Sequence, residues 1–118
     1  MARHIQLGRK GEDLAEGFLI TKGHTILHRN WRYSRYEIDI ITLLGAVTHF
    51  TEVKYRTNHD FGQPEESVNR RKLQHLMKAA DFYLYFHKEI RHIQFNILSI
   101  TANAEKDPSY FFIEDVYM

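Results

Sequence analysis

Two short alternating segments, Glu37-Ile38-Asp39-Ile40-Ile41 and Glu52-Val53-Lys54, flank Leu43-Leu44-Gly45-Ala46-Val47-Thr48 and commit this stretch to a β-hairpin. Side chains two apart on a strand share a face. Glu37 and Asp39 are therefore expected to point one way and Ile38 and Ile40 the other, while Glu52 and Lys54 oppose Thr51, Val53 and Tyr55. Glycine at the first central position suits a two-residue type II′ turn. With Gly45 and Ala46 in that turn, residues whose numbers sum to 91 face each other, which sets Asp39 opposite Glu52 and Glu37 opposite Lys54. Like charges directly opposite destabilise a sheet, and Asp is a poor strand residue. A divalent cation shared by Asp39 and Glu52 resolves the conflict, with the Lys54 ammonium beside it. The plainer alternative is a solvated hairpin face on which Glu37 and Lys54 form a cross-strand ion pair. Carboxylates with a water-rich shell suit Mg²⁺ or Mn²⁺, ions that activate water and neutralise phosphate charge.

Around this hairpin the chain reads as helix, three strands, helix, two strands. Leu7, Leu14, Ala15, Phe18 and Leu19 recur at helical spacing from about Leu7 to Lys22, and Gly23 stops the helix. Thr25 to Arg32 forms a first strand, and Asn30 to Tyr36 leads into the hairpin. The polar segment from Thr57 to Pro64 is a connector. A second helix runs from about Asn69, a plausible N-cap, to His87, with Leu73, Leu76, Met77, Ala80, Tyr83 and Leu84 as its apolar stripe. Strands follow over Ile93 to Ile100 and Tyr110 to Val116, separated by a turn at Asn103 to Ser109. This order predicts an α/β fold, a mixed sheet flanked by helices.

A length of 118 residues predicts one domain spanning the whole chain. The 43% hydrophobic and 26% charged content is that of a soluble globular protein. No apolar run approaches the ~20 residues that cross a bilayer, and the first seven residues lack the apolar core of a signal peptide. The absence of cysteine excludes disulfides, a thiol nucleophile and thiolate metal sites, and a cytoplasmic location is expected. Net charge is only +1, so nucleic-acid binding must rest on local clusters: Arg29, Arg32 and Arg35, and Arg70, Arg71, Lys72 and Lys78.

Glu12 lies three residues before Ala15 and seven before Leu19, on the buried flank of the first helix. A carboxylate there is costly unless paired, so it either reaches the metal site or serves near a helix N-terminus, where acids are favoured. Lys72 borders the apolar stripe of the second helix, beside a polar basic face of Arg71, Gln74, His75 and Lys78. That face either holds a phosphate backbone or is simply solvated. The eight histidines lack zinc-ligand spacing, and Gly8-Arg9-Lys10-Gly11 is not a phosphate-binding loop.

The set Gly8-x-x-Gly11-Glu12-x-x-Ala15, Asn30-Trp31-Arg32, Glu37-Ile38-Asp39, Glu52-Val53-Lys54, Phe61-Gly62 and Ser67-Val68 with Lys72 resembles the YraN-like family. That family is an uncharacterised, mostly bacterial group of endonuclease-like proteins similar in fold to archaeal Holliday junction resolvases. The resemblance covers nearly the whole chain and implies the restriction-endonuclease-like PD-(D/E)xK fold in α-β-β-β-α-β-β order. Asp39 takes the place of the motif's Asp, Glu52 and Lys54 form its Glu-x-Lys, Glu12 matches the helical acid, and Lys72 matches a basic residue on the helix after the motif. Two departures stand out. Tyr36 replaces a frequent Gly, and Gln94-Phe95-Asn96 stands where the family often has Arg-Phe-Asp, an exchange of an ion pair for amides.

The resemblance implies a Mg²⁺- or Mn²⁺-dependent nuclease acting on DNA, with branched or structured DNA as a candidate substrate. Asp39 and Glu52 would hold the metal, Glu12 would contribute directly or through water, and Lys54 would orient the attacking water or stabilise transition-state charge. Arg32, Arg35, Arg71 and Lys72 are the expected phosphate contacts. The alternative is a nucleic-acid-binding module that keeps the fold without catalysis. Cutting a symmetric junction needs two active sites, for which a two-fold dimer is the simplest provision. On the second helix, Tyr83 and Leu84 continue the core stripe, leaving Phe82, Tyr85 and Phe86 either for a partner or for cover by Tyr110-Phe111-Phe112.

Overall fold

A computed structural model describes residues 2–57, 70–103 and 106–117, with side chains from Lys10 onward. Its elements are α1 (Ala2–Thr21), β1 (Thr25–Tyr33), β2 (Tyr36–Leu44), β3 (Val47–Thr57), α2 (Arg70–Phe86), β4 (His92–Ala102) and β5 (Ser109–Ile113). The order is the one expected, with α1 beginning earlier and β5 ending sooner. Asn69, the connector beyond Thr57, Phe61-Gly62 and Ser67-Val68 lie outside the described residues.

The five strands lie in the order β1-β2-β3-β4-β5. β1, β2 and β3 form an antiparallel meander, β3 and β4 run parallel, and β5 returns antiparallel to β4. Ala15 and Leu19 of α1 pack with Ile40, Leu98 and Ile100. Leu73, Leu76, Ala79, Ala80 and Tyr83 of α2 pack with Ile38, Ile41 and Phe50. Phe50 and Val53, three apart on β3, belong to these different clusters, so the helices cover opposite sheet faces. The result is a three-layer sandwich. Among the described residues, no helix is long and apolar enough to cross a membrane.

The end of α1 follows from Gly23, whose φ of +94° is costly for residues with a β-carbon. Its N–H donates to the Ile20 carbonyl at 2.9 Å and the His24 N–H to that of Leu19 at 3.0 Å, a Schellman closure. That closure delivers His24, buried, to the sheet.

The hairpin between β2 and β3 has the expected register, Leu44↔Val47 through Ile40↔Thr51. Gly45 has φ of +62° and Ala46 does not have positive φ, as a type II′ turn requires. The pairing stops at Ile40↔Thr51, however, so Asp39 and Glu52 are not cross-strand partners and neither are Glu37 and Lys54. The expected common face of Ile38 and Ile40 is also corrected. Ile38 packs under α2 and Ile40 under α1, so the alternation breaks once, at Asp39. The chain turns its strand there, and the two strands fork.

Candidate functional site

Glycine at position 11 sets how close α1 comes to the sheet. A β-carbon there would lie 2.7 Å from the Tyr55 β-carbon, inside any tolerable contact. Only glycine lets the helix settle onto β3 at this point, and the next residue, Glu12, is carried in with it. Its Oε2 is buried and has no hydrogen-bond partner, a costly state for a carboxylate oxygen.

Asp39 occupies the fork between β2 and β3. Its Oδ2 accepts a hydrogen bond from the Val53 backbone N–H at 2.8 Å, a donor that the ended ladder leaves to it. Burial pushes the Asp39 carboxyl up to about 6; the Val53 N–H opposes that shift, and the charges of Glu52, Glu37 and Glu12 add to it. Glu52 and Lys54 share a face, as expected, and meet at 3.5 Å with most of both side chains withdrawn from solvent. Lys72, in the first turn of α2, has its pKa lowered chiefly by a hydrogen bond with the Lys54 amine, then by burial and by the Lys54 charge, with Glu52 opposing. Electrostatic contacts thus link Glu12 to Asp39, Asp39 to Glu52, and Glu52 to Lys54 and Lys72, across four elements, α1, β2, β3 and α2.

The other expected residues fall elsewhere. Glu37 pairs with Arg32 at 3.1 Å on the neighbouring strand. Arg35 lies over the Tyr36 ring at 5.3 Å and donates to its hydroxyl at 3.2 Å, a bond that raises the Arg35 pKa. Arg71 is exposed on the first turn of α2. Arg32 and Arg35 therefore belong to the β1–β2 hairpin rather than to the carboxylate site.

Among the described residues, no three His, Asp or Glu side chains converge as a chelating group. The carboxylates that could serve a cation are Asp39 and Glu52, which lie in electrostatic reach of each other, with Glu12 also in reach of Asp39. Two hard oxygen donors suit an ion that keeps several of its own waters. The raised Asp39 pKa and the unpartnered Glu12 oxygen both mark a surplus of buried negative charge that a cation would relieve.

A second polar cluster had no signal in sequence spacing. His24 Nδ1 lies 2.7 Å from Thr42 Oγ1, and the His24 and His49 rings meet edge-on at 4.7 Å. Asn96 Nδ2 reaches His49 Nδ1 at 2.9 Å and Thr51 Oγ1 at 3.3 Å. Asn96 Oδ1 accepts from Gln94 Nε2 at 3.0 Å and from the Asp115 N–H at 3.1 Å. The two amides of Gln94-Phe95-Asn96 are therefore bonded to each other and tied into the core. Burial lowers the pKa of His24 and of His49.

Comparison with known sequences gives a consistent result. The model of "Uncharacterised protein family UPF0102" matches residues 11–100, a span that holds Glu12, Asp39, Glu52, Lys54 and Lys72. A UPF0102 protein of Clostridium novyi is 41% identical over 113 residues, covering 94% of both chains. One from Flavobacterium johnsoniae is 38% identical over 109 residues, 89% of each chain. One from Thermodesulfovibrio yellowstonii is 44% identical over 100 residues, 85% of this chain and 88% of its own.

Proposed function

The chain belongs to the uncharacterised protein family UPF0102, and from that premise we propose that it is a Mg²⁺- or Mn²⁺-dependent endonuclease that hydrolyses phosphodiester bonds in DNA, branched or structured DNA included. The observation that carries this reading is that the withdrawn Asp39 carboxylate lies within electrostatic reach of Glu52 and Glu12, with Lys54 against Glu52. Carboxylates perturbed by burial and by neighbouring acids cluster at functional sites, which supports this reading.

Asp39 and Glu52 are the residues that would hold the ion, and Glu12 would bind its water shell. When bound, the ion would supply an activated water and charge neutralisation at the scissile phosphate. The chain's own groups do the positioning. The Val53 N–H fixes the Asp39 carboxylate, and Glu52 holds the Lys54 ammonium, where it can stabilise the phosphorane-like charge that develops in the transition state. Lys72, beside Lys54, adds positive charge on the α2 side for the phosphate backbone.

The test is cleavage of duplex, single-stranded, flap and four-way-junction DNA with Mg²⁺ or Mn²⁺. Some substrate is expected to be cut by the native protein and none by Asp39→Ala. Full-rate cleavage by Asp39→Ala would overturn the assignment. DNA binding without cleavage by the native protein would favour a non-catalytic binding module.

A further inference from the structure

Aromatic rings at the margin of the α2 core form a continuous ribbon between the β1–β2 hairpin and α2. His75 meets Tyr36 at 4.8 Å, Tyr36 meets Phe82 at 5.4 Å, Phe82 meets Tyr33 at 4.8 Å, and Tyr33 meets Phe86 at 5.3 Å. Tyr33 is 41% and Phe86 53% exposed, so rings that hold one another in place still present faces to solvent. The β5 rings do not cover them: Tyr110 and Phe112 pack instead on Phe18 of α1, at 4.8 and 5.4 Å. Cations are interleaved, with Arg35 over Tyr36 at 5.3 Å and Lys78 over Phe82 at 6.0 Å. The acids at its border are Glu37, tied to Arg32 at 3.1 Å, and Asp81, three residues after Lys78.

The ribbon leads to the carboxylate site. Lys72, His75, Phe82 and Phe86 fall on one stripe of α2, and Lys72 touches the Lys54–Glu52 pair. From Lys72 to Phe86 the stripe extends roughly 20 Å at the rise of an α-helix. We propose that this face is a stacking platform for the unpaired bases of a single-stranded DNA segment, running from the exposed end of α2 toward Asp39 and Glu52. Exposed aromatics alternating with cations are what unpaired bases and their phosphates require. A paired duplex hides its base faces and offers this platform little. A second copy of the chain is a poorer occupant, because a two-fold contact would set this cationic patch against itself. The inference rests on the nuclease reading and narrows its substrate to DNA with a single-stranded part.

Binding is measured without divalent ions, so that cleavage does not enter. Trp31, the one tryptophan, stacks on Tyr33 at 6.4 Å and reports on the platform. A labelled oligothymidylate is expected to bind and to quench Trp31 fluorescence, whereas blunt duplex binds more weakly without quenching. Tyr33→Ala with Phe86→Ala should weaken oligothymidylate binding by roughly tenfold or more and leave duplex binding unchanged. Tyr33→Leu with Phe86→Leu keeps apolar bulk without a ring and should lose as much. Unchanged oligothymidylate affinity in the folded leucine variant would overturn the proposal. So would a native dimer in sedimentation that becomes monomeric in that variant, which would give the face to a second copy. These outcomes are separable from failure of the nuclease reading, since Asp39→Ala cleavage and metal-free binding are read independently.

Discussion

Asp39 Oδ2 accepts the Val53 N–H at 2.8 Å, which fastens one carboxylate to the strand that carries the next, Glu52. The bond occupies a donor that the β2–β3 ladder leaves unpaired beyond Ile40↔Thr51. It also sets a conflict within the residue. The bond favours the ionised form, while burial and three neighbouring acids oppose it more strongly.

Asp39→Asn is expected to stabilise the metal-free protein. The amide oxygen still accepts the Val53 N–H and carries no charge. A folded pKa of about 6, raised from 3.8, means that Asp39 imposes no ionisation cost below pH 3.8 and an increasing one as pH rises toward 6. The gain should therefore be near zero around pH 3.5 and reach up to about 3 kcal/mol above pH 6.5. Urea denaturation at those two pH values checks it, and equal gains at both would refute the linkage.

Mn²⁺ should raise the thermal midpoint of the native protein. At a hundred times its Kd the ion contributes about 2.7 kcal/mol by mass action. Glu52→Gln and Asp39→Asn should each remove most of that gain, and Glu37→Gln, whose carboxylate is paired with Arg32, should keep it. Calorimetry with and without Mn²⁺ makes the comparison.

Gly11→Ala should cost about 1–3 kcal/mol, the usual penalty of overpacking, because the new carbon would meet the Tyr55 β-carbon at 2.7 Å. Tyr55→Gly removes the obstructing atom, so a double-mutant cycle should show a coupling above ~0.5 kcal/mol. Additive losses would mean that α1 shifts without strain.

Acid should act on the core through the histidine pair. Folded His24 and His49 have lowered pKa values through burial, with Glu114 partly offsetting that for His24 and the His24 charge adding to it for His49. Their neutral forms are thus the ones the fold accepts. Stability is complete above pH 6.5 and declines as pH falls below it. Because Asp39 titrates with the opposite sign, the measurement belongs in the Asp39→Asn background. There the midpoint should drop from pH 7 to pH 5.5, and less steeply in His24→Gln.

Lys72→Ala should weaken DNA binding at low salt and reduce the salt slope by about one phosphate contact. An unchanged slope would confine Lys72 to supporting Lys54.

The hairpin, the helices and the succession of elements along the chain were legible because alternation, helical spacing and the Gly45-Ala46 turn are local signals. Asp39, Glu52 and Lys54 stood out for the same reason, as charges embedded in a strand pattern. The fork at Asp39 was not legible. A period-two reading carries Ile38 and Ile40 to one face, and only packing against two different helices separates them. The pairing of Arg32 with Glu37 across the β1–β2 strand pair is equally absent from sequence spacing. His24 and His49 lie on elements whose meeting depends on how α1 ends, which spacing does not encode.

The parallel pairing of β3 with β4 has a kinetic consequence. Thr51 meets Asn96 across a separation of 45 residues, whereas Asp39 and Val53 are 14 apart. Loop-closure entropy makes the long-range pairing the slower event. The meander that brings Asp39 toward Glu52 can therefore assemble while β4 is still unpaired. In pulsed hydrogen exchange, the amides of β2 and its hairpin should gain protection before those of β4. Both carboxylates would then be in place before α2 delivers Lys72, making the acidic half of the site the early half.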